Sequence, residues 1–337
     1  MHKDEISRLF ESFNQLNVLI IGDVMIDSYL WGDVERISPE APVPIVSVNK
    51  RENRLGGAAN VALNIKAMGA NPILCSVVGN DQKGSEFIEL LEEQNMKTHG
   101  IVKSSSRITT TKFRVIGNKV QMLRVDEEVD NFLNQEDSKA FFNCFMSIIN
   151  ENNIDVIVFQ DYDKGIITSE LIGQVVGIAN DNRIPVVVDP KKKNFTNYKN
   201  VTLFKPNLKE LKEGLNIEFD AKNRNELQEA VSALKTLLNA KMILLTLSED
   251  GVFIEFEDNG EKGTAILPSH VRSISDVSGA GDTVISMAAL CLAKNVDPAV
   301  MAAISNLSGG LVCESVGVVP VDKQVLLTET LKLDFNP

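Results

Sequence analysis

Residues 276–283 read Asp-Val-Ser-Gly-Ala-Gly-Asp-Thr. Three small residues, Gly279, Ala280 and Gly281, lead into an acid, Asp282. An apolar run at helical spacing follows: Val284, Met287, Ala288, Leu290 and Cys291. The pattern predicts a tight turn that opens a buried helix. A helix start exposes unpaired N–H groups and a partial positive charge, and glycines let an anion approach that backbone closely. An acid there repels a phosphate but suits a base that takes a proton from a hydroxyl attacking it. Asp282 could instead cap the helix, a position asparagine and aspartate favour.

Upstream of this stretch the chain alternates short apolar runs with helical patterns. Val18–Ile21, Ile73–Val78, Asp155–Phe159, Pro185–Val188, Val201–Phe204 and Met242–Leu247 read as buried strands. Helical patterns lie near 59–68, 84–95, 137–150, 169–180 and 224–239, and two Ala- and Gly-rich helices fill 279–314. Such alternation predicts an α/β fold with a mostly parallel sheet and helices on both faces. Ile6, Leu9, Phe10, Phe13 and Leu16 mark an amphipathic N-terminal helix packed on the body rather than a signal segment.

Two stretches break the rhythm. Residues 28–50 carry Trp31, Pro39, Pro42 and Pro44 with apolar alternation, and 109–125 is β-rich around Gly117-Asn118, a hairpin signal. Together they predict a small β lid inserted from about 28–55 and 108–126 into one domain spanning 1–337; an incidental edge hairpin is the plainer alternative. A small exposed sheet with apolar alternation is prone to pair along its edges, so a homodimer through the lid is expected.

In open parallel sheets ligands sit at the carboxyl ends of strands. Here those ends read Gly22-Asp23 with Asp27 beyond, Gln160-Asp161-Tyr162-Asp163-Lys164-Gly165, Asp189-Pro190-Lys191, Lys205-Pro206-Asn207, and Thr246 with Ser248–Gly251. So many polar ends exceed what capping alone explains. Gly56-Gly57-Ala58-Ala59-Asn60 opens a helix and could contact sugar hydroxyls, or simply start that helix with Asn60 as cap. It is not Gly-x-Gly-x-x-Gly, and no Gly-x-x-x-x-Gly-Lys-Ser/Thr occurs, so neither a dinucleotide loop nor a P-loop is supported. His2, His99 and His270 lack ligand spacing, and no Gly-x-Ser-x-Gly elbow is present.

Composition narrows the class. The 337 residues carry a net charge of −12, which argues against nucleic-acid binding but allows a small anionic substrate. No apolar run is long enough for a membrane span. Cys75, Cys144, Cys291 and Cys313 are widely spaced without Cys-x-x-Cys, as in free thiols of a cytoplasmic protein.

Gly-Gly-Ala-Ala-Asn and Asp-Val-Ser-Gly-Ala-Gly-Asp-Thr resemble the two signatures of the ribokinase-like (PfkB-type) carbohydrate kinases, over about Val18 to Val319. Arg36-Ile-Ser-Pro-Glu-Ala-Pro-Val-Pro44, Thr111-Lys-Phe-Arg114, Leu123-Arg-Val-Asp126 and Asp161-Tyr-Asp-Lys-Gly165 are similar to the heptose-7-phosphate kinase branch of that family. The resemblance implies ATP-dependent phosphorylation of the anomeric hydroxyl of a heptose 7-phosphate, on the way to ADP-heptose for lipopolysaccharide. Another sugar kinase of the family, or a catalytically silent sugar-binding regulator, are the rival readings. The resemblance implies Asp282 as base, Gly279, Ala280 and Gly281 as anion hole, and Asn207 and Glu210 at the ATP phosphates, with Glu210 reaching Mg²⁺ through water. Thr246, Ser248, Gly251 and Asn306 would line the nucleotide pocket, and Asp27, Gly57, Asn60, Asp161 and Lys164 would meet the sugar. A monovalent cation such as K⁺ would sit near Asp276 and 314–318. The basic residues Lys112, Arg114 and Arg124, two on one strand and one on its hairpin mate, are candidates for the sugar's own phosphate, or else solvated charges. Gln160 departs from the small Ser expected there, Ser278 replaces a Thr, and Lys191-Lys192-Lys193 departs from Lys-Gly. The similarity stops at the kinase half, so a separate nucleotidyltransferase is expected for the next step.

Overall fold

The computed structural model describes residues 1–258, 260–269, 274–315 and 317–335. Helix α1 (Lys3–Ser12) buries Ile6 and Phe10 from its apolar stripe and leads into β1 (Asn17–Gly22). A long antiparallel hairpin, β2 (Val24–Ile37) and β3 (Pro44–Gly57), precedes α2 (Ala58–Ala67) and β4 (Asn71–Gly79). Next come α3 (Gln82–Glu93), β5 (Ile101–Ser104) and a second hairpin, β6 (Thr111–Gly117) with β7 (Val120–Glu127). Alternation then resumes with α4 (Gln135–Glu151), β8 (Val156–Gln160), α5 (Ser169–Asp181), β9 (Val186–Asp189) and β10 (Leu203–Phe204). It continues with α6 (Leu208–Leu215), α7 (Arg224–Leu238) and β11 (Met242–Thr246). A hairpin of β12 (Val252–Asp258) and β13 (Glu261–Leu267) leads to α8 (Ala280–Ala293), α9 (Pro298–Val312) and α10 (Lys323–Thr330).

Nine strands form the main sheet in the order β13-β12-β11-β10-β9-β8-β1-β4-β5. From β11 to β5 every neighbour is parallel; β12 and β13 close one edge antiparallel. Side chains alternate faces along a strand, so β1 divides its residues between two cores. Val18 and Ile20 pack with residues of α1, α2, α8 and α9; Leu19 and Ile21 pack with residues of α4, α5 and α7. The chain runs from β1 outward to β4 and β5, then returns to build β8 to β11 on the other side. The strand order therefore reverses between β1 and β8, and a crevice opens outside their carboxyl ends.

Several local readings are corrected. The second hairpin turns on Asn118 and Lys119, both at positive φ, not on Gly117-Asn118; Gly117 is the last paired residue, opposite Val120. Val34 sets this register, because its backbone N–H and carbonyl both bond the Asn118 amide at 3.1 Å. The apolar run at 201–204 yields only two strand residues. Neither α6 nor the β12–β13 hairpin was expected.

Candidate active site

Most helices here begin on a side chain that accepts a first-turn N–H: Asp81, Asn134, Thr168, Asn207, Asn223, Asp297 and Asp322 serve α3, α4, α5, α6, α7, α9 and α10. Helices α2 and α8 differ. They begin on Gly57 (φ 60°) and Gly279 (φ 83°) with no side-chain cap. Positive φ strains other residues, so both positions call for glycine. At Gly57 a Cβ would also lie 2.4 Å from the Asp23 carbonyl oxygen.

Asp282 is not a cap. Its buried carboxylate accepts from Asn60 Nδ2 at 2.7 Å, Tyr162 Oη at 2.8 Å and Gln160 Nε2 at 3.1 Å. Nor does Asn60 cap α2, since its amide reaches across to Asp282. Burial, chiefly, pushes the Asp282 carboxyl up to about 6; the Asn60 bond opposes that and the nearby Asp189 adds to it. A carboxyl poised near neutrality, at an uncapped helix start, is suited to proton abstraction.

The wall beside it is charged and buried. Asp189 pairs with Lys205 at 3.1 Å, both almost fully enclosed. A Cβ on Gly281 would lie 3.7 Å from Lys205 Nζ and 3.8 Å from Asp189 Oδ2, ordinary contact distances. Packing thus leaves room at Gly281, and the space borders backbone N–H groups and a lysine, as a phosphate requires. Lys191 pairs with Glu210. Against burial, which lowers it, Asp189 and Glu210 hold the Lys191 ammonium above the usual lysine range.

A second sheet, ordered β3-β2-β6-β7, adjoins this wall. Its register sets Lys112 beside Asp27 and opposite Asp126, and Arg114 beside Tyr29 and opposite Arg124, so all six side chains share one face. Arg114 binds Asp27 at 2.5 Å, and both Arg114 and Arg54 stack on Tyr29. Arg124 is held by Asp126 through paired bonds of 2.8 and 2.7 Å. Lys112 makes no ion pair among the described residues; its ammonium lies 5.5 Å over the Tyr162 ring, and burial lowers its pKa. Because Tyr162 bonds Asp282, this basic face meets the Asp282 cluster.

Other expected contacts are placed elsewhere. The Asp161 carboxylate takes Tyr198 Oη at 2.7 Å, Asn194 Nδ2 at 3.3 Å and the Asp163 N–H at 2.8 Å, so it anchors its loop instead of presenting itself to a sugar. Lys164 pairs with Glu128 at 2.7 Å. Asn207 and Glu210 form a reciprocal capping box on α6, with bonds of 2.8 and 2.9 Å. Ser248 and Asn207 line a groove of about 580 Å³ with Lys209, Lys212, Glu213 and Glu218. Thr246 bridges to Asn207 at its end, Gly251 (φ 94°) closes the turn after Ser248, and Asn306 bonds the Pro268 carbonyl at 2.8 Å. Among the described residues no cluster of His, Cys, Asp or Glu forms a metal cage. Asp276 accepts from Ser278 and Gly317 N–H groups at 2.9 and 3.0 Å; of the carbonyls expected at 314–318, residue 316 lies outside the described residues.

Sequence reasoning missed the parts played by Asp23, Asp189, Lys205 and Tyr162. Asp23 accepts from the N–H groups of Tyr162, Lys164 and Ile166 and so shapes the 161–167 loop. The signal available for all of them was their position at or just beyond strand ends.

The family model described as pfkB family carbohydrate kinase matches residues 15–324. A protein described as bifunctional protein HldE from Aliarcobacter butzleri is 38% identical over 301 residues, 89% of this chain and 61% of its own length. Its namesake from Sulfurimonas denitrificans is 38% identical over 310 residues, covering 92% of this chain and 63% of the relative. The chain thus spans about three-fifths of the curated relatives it matches. Among solved structures, phosphofructokinase-2 from Escherichia coli in complex with potassium superposes with a TM-score of 0.77 at 20% identity, covering 94% of this chain and 98% of that one. A ribokinase from Arabidopsis thaliana complexed with ribose and ATP gives 0.69 at 14% identity, with 95% and 99% coverage. At these identities the likeness concerns the fold. Among the described residues no helix is long and apolar enough to cross a membrane.

Proposed function

We propose that this chain, which belongs to the pfkB family of carbohydrate kinases, phosphorylates the anomeric hydroxyl of D-glycero-β-D-manno-heptose 7-phosphate at the expense of ATP. The γ-phosphoryl group would rest on the N–H groups of Gly281 and Asp282 at the start of α8, beside Lys205, that of Ala280 being donated to the Val277 carbonyl. Asp282 takes the proton of the sugar hydroxyl as its oxygen forms the new bond to phosphorus. The bond from phosphorus to the β–γ bridging oxygen breaks, and ADP leaves. Mg²⁺ on the nucleotide phosphates would spread their charge, with Glu210 within reach through water. Asp27 and Asn60 would bind sugar hydroxyls, and the groove at Asn207 and Ser248 would take the nucleoside. A monovalent cation such as K⁺ near Asp276 would support the turn before Gly279.

The observation that carries the choice of a sugar phosphate is Lys112. An ammonium that is half-buried and unpaired is costly. It lies on the Asp282 side of the second sheet, with Arg114 and Arg124 on the same face. The substrate's 7-phosphate would pair with it. The second sheet then acts as the lid over the sugar, and the chain works as a homodimer through that sheet, in the cytoplasm where ATP is supplied. A nucleotidyltransferase would carry the product onward to ADP-heptose for lipopolysaccharide. The test is ADP release across sugars with and without a terminal phosphate. Strong preference for the heptose 7-phosphate supports the reading; a wild-type protein indifferent to that phosphate rejects it.

A further inference from the structure

Gln160 ends β8 at the point where the strand order reverses, with Gly22 of β1 on one side and Asp189 of β9 on the other. Its side chain is 1% exposed. Nε2 donates to Asp282 at 3.1 Å and to Asp189 at 3.3 Å, so both protons of the amide are used on two acids. The chemistry of the partners fixes the orientation. A carboxylate only accepts, and the reversed amide would set its oxygen against two of them. The other end of the amide, Oε1, is buried with no donor among the described protein groups. Buried carbonyls are rarely left so, because the lost hydration is not returned. The serine expected at this position has one proton and a shorter reach, and could not bridge both acids.

We infer that Gln160 is a positioning residue for the base and a selectivity contact for the acceptor: Nε2 locks Asp282 to Asp189, and Oε1 accepts a hydroxyl of the polyol held against Asp282. Lys205, Asp189, Gln160, Asp282 and Tyr162 then form one continuous row at the start of α8, an ion pair followed by three hydrogen bonds. The inference rests on the base role proposed for Asp282. The charged or titratable groups facing that carboxyl are Asp189, Lys205, Tyr162 and Lys191. Lys205, Tyr162 and Lys191 make no bond to Gln160, whereas Asp189 loses its own bond to the amide together with Asp282, so a shift in the titration reports the loss of the bridge between the two acids.

Gln160→Met keeps the length of the side chain and removes both polar ends; Gln160→Ser restores the smaller hydroxyl. The Asp282 carboxyl can be titrated directly by NMR of protein labelled at aspartate carboxyl carbon, with its signal assigned from Asp282→Asn. The expected result in Gln160→Met is a midpoint raised by about half a unit or more, since a donor to the ionised form is gone. KM for whichever sugar the panel turns over should rise about tenfold, and KM for ATP should stay within about twofold. Gln160→Ser should recover part of the midpoint and little of the KM. Thermal melting checks that each variant is folded. An unmoved midpoint overturns the positioning role, and an unmoved sugar KM overturns the contact. If no sugar phosphate is turned over by the wild type, the proposed substrate fails, while the ligand-free titration still judges Gln160.

Discussion

Asp282, the proposed base, is held by three donors from two segments, Asn60 of α2 and Gln160 and Tyr162 at the end of β8. Replacing it with asparagine keeps the shape and removes the base. Turnover should fall by ~10²–10⁴-fold with ATP binding nearly unchanged, as read by single-turnover kinetics and calorimetry. A loss below about tenfold would leave Asp282 no role as base. Its carboxyl titrates at about 6, so it is protonated on the acid side and cannot act there. Activity should therefore rise with pH through about 6 and level off above it. The fold should not follow the same curve. Asp161 is likewise pushed up to about 6, mainly by burial. A carboxyl whose folded pKa lies above its unfolded value contributes more stability in the protonated state, and that contribution is lost as pH rises from about 4 to about 6. Acidifying from 7 to 5 thus removes activity without weakening the fold through these two groups, which melting curves beside rate profiles would check. Lys112→Met should raise KM for the sugar phosphate by one to two decades, given about 1.5–3 kcal/mol per charge-assisted bond, and leave KM for ATP alone. Arg114→Ala is a less clean probe, because it strands the buried Asp27 carboxylate as well.

At the scale of elements, the decisive feature is that α2 and α8 both begin on glycines and pack in one core, with Asn60 of the first bonded to Asp282 of the second. Gly281→Val should separate site from fold. Its Cβ meets only ordinary contacts, so the melting temperature should move by no more than about 2–4 °C, equivalent to about 1 kcal/mol. Blocked approach to the N–H groups should still lower kcat at least about tenfold. Normal kcat at saturating ATP would place the phosphate elsewhere. Periodicity made the buried strands and the amphipathic helices legible, because apolar runs and 3.6-residue stripes record burial directly. The glycine-led starts of α2 and α8 were also legible, and so was the shared face of Lys112 and Arg114, which follows from strand alternation; Arg124 joins that face only through the register shift between Val115 and Ile116. The β12–β13 hairpin was not read, although Val252-Phe253-Ile254 is as apolar as the strands that were. Asn207 and Glu210 carry a capping-box spacing that sequence alone could have assigned to the start of α6. Asp161, just beyond β8, and Asp282, at the start of α8, are both acids bordering an apolar run. Only tertiary partners distinguish them: Tyr198 and Asn194 surround the first, Asn60 and Tyr162 the second. Gln160 stood out in sequence only as a departure from expectation, since what it bridges lies 29 and 122 residues away.

For the whole molecule, the second sheet carries the proposed association. Strand β7 is exposed along its length, with Val120, Met122, Leu123 and Val125 open to solvent at an unpaired edge. An apolar edge of this kind favours pairing with a second copy. Sedimentation at micromolar concentration should give a dimer, and a charge placed at Leu123 should dissociate it; a clean monomer for the wild type would remove the dimeric arrangement. The bond between Asn60 and Asp282 has a different consequence. It joins residues 222 apart, and Asn64 of the same helix bonds Thr283 and the N–H of Val321, 219 and 257 residues away. Helix α2 leaves the ribosome well before the surface of α8 against which it packs. Contacts closed over such long loops form late and slow the search for the native state. Until then the alanine-rich side of α2 is exposed and open to misassociation. Catalytic competence should consequently arrive as the last event of refolding, after the β1–β8 pairing has protected its amides from exchange, and a nascent chain halted before residue 280 should be both inactive and a client for chaperones.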